Sequence, residues 1–149
     1  MTKSAVPEKV RAFVASQKFA VLSTSAMGQP YASLVAFAEN CDLTGLFFAT
    51  RRATHKYENL ADDPCVALLV DNRTNTDADL QGEQTLTILG VCTELADAER
   101  AAAAEEYCVK HPGLTAFVSG ADCALMRLDV GTYCLVDQFE HVEEWCPHA

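Results

Sequence analysis

The sequence predicts one mainly β (α+β) domain, an antiparallel Greek-key barrel of six to seven strands flanked by short helices. Apolar segments of strand length follow one another closely along the chain, and neighbouring segments of this kind pair antiparallel. Helical patterns are few and short. Gly90 lies inside a strand pattern and predicts a bulge or bend, which suits a small barrel better than an open sheet.

The helices and strands follow from local patterns. Pro7 precedes apolar residues at helical spacing, which predicts a helix up to about residue 17. Thr54 is placed to cap a short helix that ends before Pro64, and Asp97 is placed to cap the alanine-rich helix over residues 98–109. The predicted strands are residues 19–24, 31–38, 46–50, 65–71, 85–95, 123–128 and 132–139.

Composition limits the classes of function. The chain has 149 residues, half of them hydrophobic, which is enough for one core, so we expect a single domain over residues 1–149. Acidic residues outnumber basic ones 21 to 11, which argues against nucleic acid and anionic membranes as partners. Apolar runs are too short to span a membrane and no hydrophobic signal region follows the start, so we expect a cytoplasmic protein. Seven cysteines without a C-x-x-C pair predict reduced thiols and no metal site.

Residues 49–60 concentrate positive charge in a chain whose formal net charge is −10. Residues 46–50 read as an apolar strand and Thr54 as a helix N-cap, so the basic residues lie where a strand passes into a helix. We interpret this segment as an anion site. The residues that we assign to it are Thr50, Arg51, Arg52, Thr54, His55 and Lys56.

The first turn of this helix carries basic residues where acidic side chains are usual. His55 and Lys56 occupy it, although free amides and the helix dipole already give positive potential there. A phosphate would accept hydrogen bonds from those amides, from the threonine hydroxyls and from the nearby cations. The alternative is a solvated basic face whose cations pair with carboxylates such as Glu58.

The order of hairpin, strand, T-x-x-x-[ST]-x-K, helix and strand resembles the FMN-binding split barrel of the pyridoxamine 5′-phosphate oxidase-like superfamily. Thr50, Thr54 and Lys56 have the spacing with which that family holds the flavin phosphate. The resemblance implies a flavin mononucleotide (FMN) cofactor with its phosphate on this segment. It also implies a homodimer with the cofactor at the interface.

The same resemblance extends to residues outside the basic segment. It places the strand segment Ser33–Ala36 along the isoalloxazine ring and the polar side chains of Gln84 and Thr85 near the cofactor. It also lets Arg73 and Trp145 of a second subunit reach that cofactor. For Arg73 the alternative is an ion pair with Asp77 or Asp79, and for Trp145 it is simple packing. The residues so assigned are Ser33, Leu34, Val35, Ala36, Arg73, Gln84, Thr85 and Trp145.

Two departures from the true oxidases bear on activity. Ser33 stands where those enzymes carry a basic residue, and their basic C-terminal motif is replaced by Glu140, Glu143 and Glu144. Acidic side chains would repel a phosphorylated substrate, so we do not expect pyridoxamine phosphate oxidase activity. A flavin carries its own redox chemistry, so no catalytic side chain is predicted.

Three hypotheses of function remain. The first is an FMN-dependent oxidoreductase acting on a small molecule. The second is a haem-binding or haem-degrading barrel, for which Cys146, His141 and His148 are the candidate axial ligands. The third is a flavin carrier or sensor without turnover. His111, which precedes a proline, is predicted to be a surface residue.

Overall fold

The computed structural model describes residues 5–137 and 140–148, and within them it contains five short α-helices and seven strands. The helices are α1 (Val6–Ser16), α2 (His55–Asp62), α3 (Asp79–Gly82), α4 (Asp97–Lys110) and α5 (Thr115–Val118), with a 3-10 turn at Pro112–Leu114. The strands are β1 (Phe19–Ala26), β2 (Gln29–Glu39), β3 (Gly45–Arg51), β4 (Cys65–Asp71), β5 (Gln84–Glu94), β6 (Cys123–Asp137) and β7 (His141–Trp145).

Six of these strands close into an antiparallel barrel, as the sequence predicts. The sheet order is β3-β2-β1-β4-β5-β6-β7, and β3 also pairs with β6, which closes the sheet on itself. The order β4-β1-β2-β3 is that of a Greek key. Strand β7 is an extra strand that pairs with residues 133–137 of β6. Strand β3 pairs with the first half of β6, residues 123–129.

Apolar side chains fill the barrel and a second layer beside it. Alternation along the strands sends Leu22, Phe48 and Leu68 into the interior, where they are fully buried or nearly so. The outward-facing Phe47 is covered by α4, whose Tyr107 lies in a second apolar cluster. Helix α1 adds buried apolar residues to the barrel core, and α2 packs against β1.

Strand β6 differs from its prediction, because it runs without interruption where two strands had been expected. Its register with β5 passes from Leu89 opposite Thr132 to Gly90 opposite Val130, so Gly131 is the extra residue of a bulge. The bend predicted near Gly90 is therefore present. A Cβ at Gly90 would lie 2.2 Å from the carbonyl oxygen of Asp129, so the close approach of β5 to β6 at this bulge requires glycine. The predicted strand end at residues 138–139 lies outside the described residues.

Other local predictions were wrong for identifiable reasons. Asp97 does not cap α4: it is the first helical residue, with φ of 54°, and Ala96 occupies the cap position without a side-chain hydrogen bond. Strand β7 was missed because only two of its five residues, Val142 and Trp145, are apolar, and pairing with β6 makes the segment a strand. Among the described residues, no helix is both long enough and apolar enough to cross a bilayer.

Candidate functional site

The turn between β3 and α2 brings together the two predicted threonine hydroxyls. Thr54 is the N-cap of α2, and its Oγ1 accepts a hydrogen bond from the amide of Tyr57 at 3.3 Å. Thr54 Oγ1 lies 3.2 Å from Thr50 Oγ1, and both hydroxyls donate to the carbonyl oxygen of Arg51, at 2.8 and 3.2 Å. The predicted helix start and its cap are confirmed, and the hydroxyls form one compact polar group.

Lys56, the cation beside these hydroxyls, has no salt-bridge partner in the part of the chain that the structure describes. It is half-buried, and Glu58 pairs with none of the cations there. The ring of His55 lies against that of Tyr31, with centroids 4.7 Å apart. The helix dipole and Lys56 therefore add their positive potentials at one place.

Arg52 has a different environment from Lys56, because Glu94 at the end of β5 holds it. Arg52 Nη2 lies 2.8 Å from Glu94 Oε2, and Nη1 donates to the carbonyl of Ala121 at 3.1 Å. The other carboxylate oxygen accepts a 2.6 Å hydrogen bond from the Tyr57 hydroxyl. Glu94 thus binds both Arg52 and Tyr57 through its two carboxylate oxygens, and it neutralises the charge of Arg52.

These contacts shift two pKa values. The hydrogen bond from Arg52 lowers the pKa of Glu94, and the hydrogen bond to Glu94 raises the pKa of Tyr57. No sequence pattern pointed to Glu94. Its only local signal is a carboxylate at the end of a strand, and its partners are 42 and 37 residues away in the chain.

Arg51 points away from the threonine hydroxyls. Successive side chains of β3 alternate, so Thr50 is buried on the barrel side while Arg51 lies on the outer, α4-facing side. Its guanidinium lies 5.7 Å from the centroid of the Phe117 ring and lines a pocket of about 220 Å³. The structure therefore brings together Thr50, Thr54, His55 and Lys56 but directs Arg51 to a neighbouring surface.

The predicted ring-facing stretch lies where β2 separates from β3. The two strands pair only from Phe37 to Glu39, so residues 29–36 of β2 have β1 as their one strand partner among the described residues. Ser33 and Val35 face inward, because they pair with the buried Leu22 and Ala20. Within the described chain, Ser33 Oγ is buried and has no hydrogen-bond partner.

The other two residues of this stretch have separate environments. Leu34 faces outward and is 68% exposed. The carbonyl of Ala36 accepts a 3.0 Å hydrogen bond from the hydroxyl of Tyr107. The open part of the β2 edge therefore ends where α4 reaches it.

The remaining predicted residues lie away from the basic segment. Gln84 and Thr85 begin β5, whereas Glu94 ends it, a separation of roughly 30 Å at about 3.3 Å per residue. The side-chain amide of Gln84 donates to the carboxylate of Asp137, and the backbone N–H of Gln84 donates to Asn72 Oδ1 at 2.8 Å.

Arg73 and Trp145 also have partners within the chain. Arg73 pairs with Asp71 at 2.9 Å, rather than with Asp77 or Asp79 as the alternative had it. It shares a groove of about 230 Å³ with Leu34. The Trp145 ring stacks on Tyr133, with centroids 5.4 Å apart. Within one chain the predicted residues at the basic segment and those near the start of β5 thus form two separate groups, with Leu34 in the groove beside Arg73.

The candidate axial ligands of the haem hypothesis are exposed. His141 contacts Glu143 at 3.2 Å, Cys146 Sγ lies 3.6 Å from the Thr132 hydroxyl, and His148 is exposed. The prediction for His111 was wrong: it is buried, with Nε2 2.7 Å from the carbonyl of Phe37, because the chain after α4 packs onto β2. No cluster of three or more His, Cys, Asp or Glu suited to a metal ion occurs in the described residues.

Comparison with known proteins identifies the family of this barrel. The family model described as Pyridoxamine 5′-phosphate oxidase matches residues 6–146. The chain belongs to this family. No curated protein matches the sequence.

Solved structures of this pyridoxamine 5′-phosphate oxidase family fold resemble the chain closely in shape but not in sequence. A heme binding protein from Mycobacterium smegmatis superposes with a TM-score of 0.86 at 19% identity, covering 99% of this chain and 60% of that one. HutZ, the heme storage protein from Vibrio cholerae, gives 0.73 at 17% identity, with 93% and 92% covered. An FAD-binding protein from Mesorhizobium loti gives 0.67 at 18% identity, with 97% and 95% covered. At such identities the likeness shows the fold alone.

The contact between Glu94 and Arg52 gives a prediction for stability. Because the pKa of Glu94 is lower in the folded chain than its ordinary 4.5, its contribution is complete above about pH 5 and declines as pH falls through the folded value. Both side chains are partly exposed, so we expect Glu94→Gln to cost only about 0.5 kcal/mol at neutral pH. Urea denaturation of both proteins between about pH 3 and about pH 7 measures this. Glu105→Gln, at an exposed position, is the control, and a Glu94→Gln effect independent of pH would contradict the assignment.

Proposed function

We propose that this chain binds FMN with the cofactor phosphate on residues 50–56 and acts as a flavin-dependent oxidoreductase on a small molecule. One observation carries the proposal. Two threonine hydroxyls, Thr50 and Thr54, meet 3.2 Å apart beside Lys56, a cation without a salt bridge in the described residues, at the start of a helix. In a chain of net charge −10, few other places have a positive potential that favours an anion.

Each part of this segment supplies a donor for phosphate. The first amides of α2 have no intrahelical partners, and the hydroxyl of Thr54 can turn from the Arg51 carbonyl to an incoming oxygen. Lys56 adds a charge-assisted hydrogen bond, and His55 adds a ring nitrogen at the same turn. Arg52 does not contribute its charge, because Glu94 neutralises it.

The open edge of β2 supports a flavin ring beside this segment. The buried Ser33 Oγ has no partner within the described chain, and an orphan of this kind costs about 1–3 kcal/mol unless a bound group satisfies it. Peptide groups of Leu34 and Val35 would read the ring edge. When bound, the flavin supplies the redox chemistry. The chain's own residues hold the phosphate, orient the ring and exclude water from one of its faces.

A homodimer with the cofactor at the interface is part of the proposal. The outer face formed by β1, β2, β4 and β5 carries exposed apolar side chains: Phe19 (58%), Leu34 (68%), Leu89 (48%) and Val91 (43%). Strand pairing makes this face continuous, since Val21 lies opposite both Leu34 and Leu69. A second copy on it would bring the Arg73 and Gln84 end of one barrel toward the basic segment of the other.

The acidic end of the chain limits the substrate. Glu143 is paired with Lys9 at 2.8 Å, but Glu144 is exposed beside it and Glu140 precedes β7. Like charge there disfavours a phosphorylated substrate, so oxidation of pyridoxamine 5′-phosphate is not proposed. An uncharged or cationic small molecule suits this surface better.

Haem binding is the second candidate, and a carrier or sensor of flavin without turnover is the third. The names of the heme binding protein from Mycobacterium smegmatis and of HutZ support the second. Three exposed side chains able to ligate iron, His141, Cys146 and His148, lie within one short stretch. A carrier would bind FMN as tightly as an oxidoreductase but would not be reduced faster by NAD(P)H or a panel of small molecules.

The visible absorption spectrum of the purified protein, before and after addition of FMN, tests the cofactor. We expect the two near-UV and blue bands of bound oxidised flavin. An intense Soret band on purification, lost in the His141→Ala, Cys146→Ala or His148→Ala variant, would replace flavin by haem. Uptake of neither group would refute both candidates.

Removal of the Lys56 ammonium tests the phosphate assignment. A charge-assisted hydrogen bond contributes about 1.5–3 kcal/mol, so Lys56→Ala should weaken FMN at least about tenfold. Riboflavin, which lacks the phosphate, should change by less than about twofold because it has no group for Lys56 to hold. Fluorescence titration with each flavin measures both. Lys9→Ala removes the same charge next to β7 and should leave FMN binding unchanged, and equal losses for FMN and riboflavin would contradict the assignment.

The dimer face is tested by placing a charge on it. We expect the wild type to sediment as a dimer and Leu89→Asp to shift it to monomer, because a buried unpaired carboxylate at an interface is strongly unfavourable. Val109→Asp, at an apolar side chain that is 81% exposed on α4, is the matched control and should remain dimeric. A wild type that stays monomeric at micromolar concentration would refute the proposed dimer.

A further inference from the structure

Helix α2 carries the anion site at its start but is too short to be stable by itself. It has eight residues, and isolated helices shorter than about 12 residues are marginal in water. Its buried side chains are Asn59 and Leu60, so an amide group takes part in packing the helix against the barrel. Contacts with the strands must therefore fix the direction in which the first turn points.

Asn59 ties one side of the helix to the hairpin of β1 and β2. Its Nδ2 donates to Thr24 Oγ1 at 3.1 Å, and both residues are buried. The Thr24 hydroxyl in turn donates to the carbonyl of Tyr31, its partner in the β1–β2 pairing, at 3.5 Å. The ring of Tyr31 contacts that of His55, which lies about one helical turn before Asn59. One side of α2 thus rests on this hairpin through two contacts.

Tyr57 ties the other side of the helix to β5. Its hydroxyl donates to Glu94 Oε1 at 2.6 Å. Tyr57 and Asn59 are two residues apart, which is roughly 200° around an α-helix. Strands β1 and β5 are the two neighbours of β4 in the sheet, so the helix is held on both sides of that strand. Contacts in such different directions restrain rotation of α2 about its own axis.

A buried hydrogen bond between two side chains specifies orientation more than it adds stability. Replacing both partners by apolar groups of the same shape is often nearly neutral for stability, whereas removing one partner leaves the other buried and unpaired. An apolar contact tolerates small rotations of a helix, but a hydrogen bond requires the donor to point at its acceptor. The contact between Asn59 and Thr24 therefore selects one rotation of α2.

That rotation determines where the donors for phosphate point. The amide of Tyr57 donates to Thr54 Oγ1 at 3.3 Å, and Lys56 lies immediately before it. The hydroxyl of Thr50 is carried by β3 and does not move with the helix. Rotation of α2 would turn Lys56 and the first amides away from that hydroxyl, and binding groups lose most of their effect when they are misplaced by about 1 Å.

We infer that Asn59 is a positioning residue for the flavin phosphate, with Thr24 as its partner on β1. Both side chains are buried between the helix and the hairpin, so they act through the backbone of α2. Loss of their contact weakens the hold on the phosphate and leaves the hold on the ring, because the ring lies on the open edge of β2. The inference rests on the proposed function, which places that phosphate on residues 50–56.

Titration of the full-length protein with FMN and riboflavin tests the inference in the variant that combines Asn59→Leu with Thr24→Val. An apolar contact replaces the hydrogen bond, so urea denaturation without flavin should give a midpoint close to that of the wild type. FMN should bind at least about fivefold more weakly, and riboflavin should stay within about twofold of the wild type. A residue that only stabilised the fold would not change the ratio of the two affinities.

Two single variants at Thr24 keep the test decisive if the double variant folds poorly. Thr24→Val removes the hydroxyl but keeps the branched shape, and it should lower the affinity for FMN relative to riboflavin. Thr24→Ser keeps the hydroxyl and should restore the ratio of the wild type. Tyr133→Phe is the matched control, because it removes another buried hydrogen bond, 2.7 Å long, to the carbonyl of Leu43 ahead of β3. It should leave the ratio unchanged.

The modes of failure are distinguishable. Equal weakening of FMN and riboflavin, or unchanged FMN affinity in Thr24→Val and in the double variant, would overturn the positioning role of Asn59 and leave the proposed function standing. A wild type that binds neither flavin would overturn both.

Discussion

The unequal pairing of β3 with its two neighbours determines the rest of this structure. It pairs with β6 along its whole length, from Gly45 to Arg51, but with β2 only over Phe37 to Glu39 of that strand. The first pairing closes the barrel and buries the core. The second ends early, so β2 keeps an open edge at Ser33 to Val35 and β3 ends beside that edge at the basic segment.

Charge at the end of β3 is arranged with unequal compensation. Glu94 neutralises Arg52 and holds Tyr57, so the turn between β3 and α2 is fixed from the strand on the far side of β6. Lys56 and the first amides of α2 are left without a counter-charge in the described residues. An anion there would relieve the repulsion between Lys56 and the helix dipole, which is a cost that the fold otherwise carries at this turn.

The two groups of predicted residues lie near opposite ends of strand β5. Gln84 and Arg73 lie near the start of β5 and the end of β4, while the basic segment lies near the end of β5. The outer face between them carries the exposed apolar side chains of Phe19, Leu34, Leu89 and Val91. Within one chain the start of β5 and the basic segment thus lie near opposite ends of that strand.

The sequence by itself determined the features whose signals lie within a few residues of each other. The cap at Thr54, the meeting of Thr50 with Thr54, the bend near Gly90 and most strand positions follow from local backbone preferences and side-chain periodicity. Only the tertiary structure decided which cations are free. Arg52 is neutralised by a carboxylate 42 residues away, Arg51 turns to Phe117 because strand alternation opposes it to Thr50, and Trp145 packs on Tyr133 through an added strand. These contacts depend on the pairing of distant strands, and no short window of sequence contains both partners.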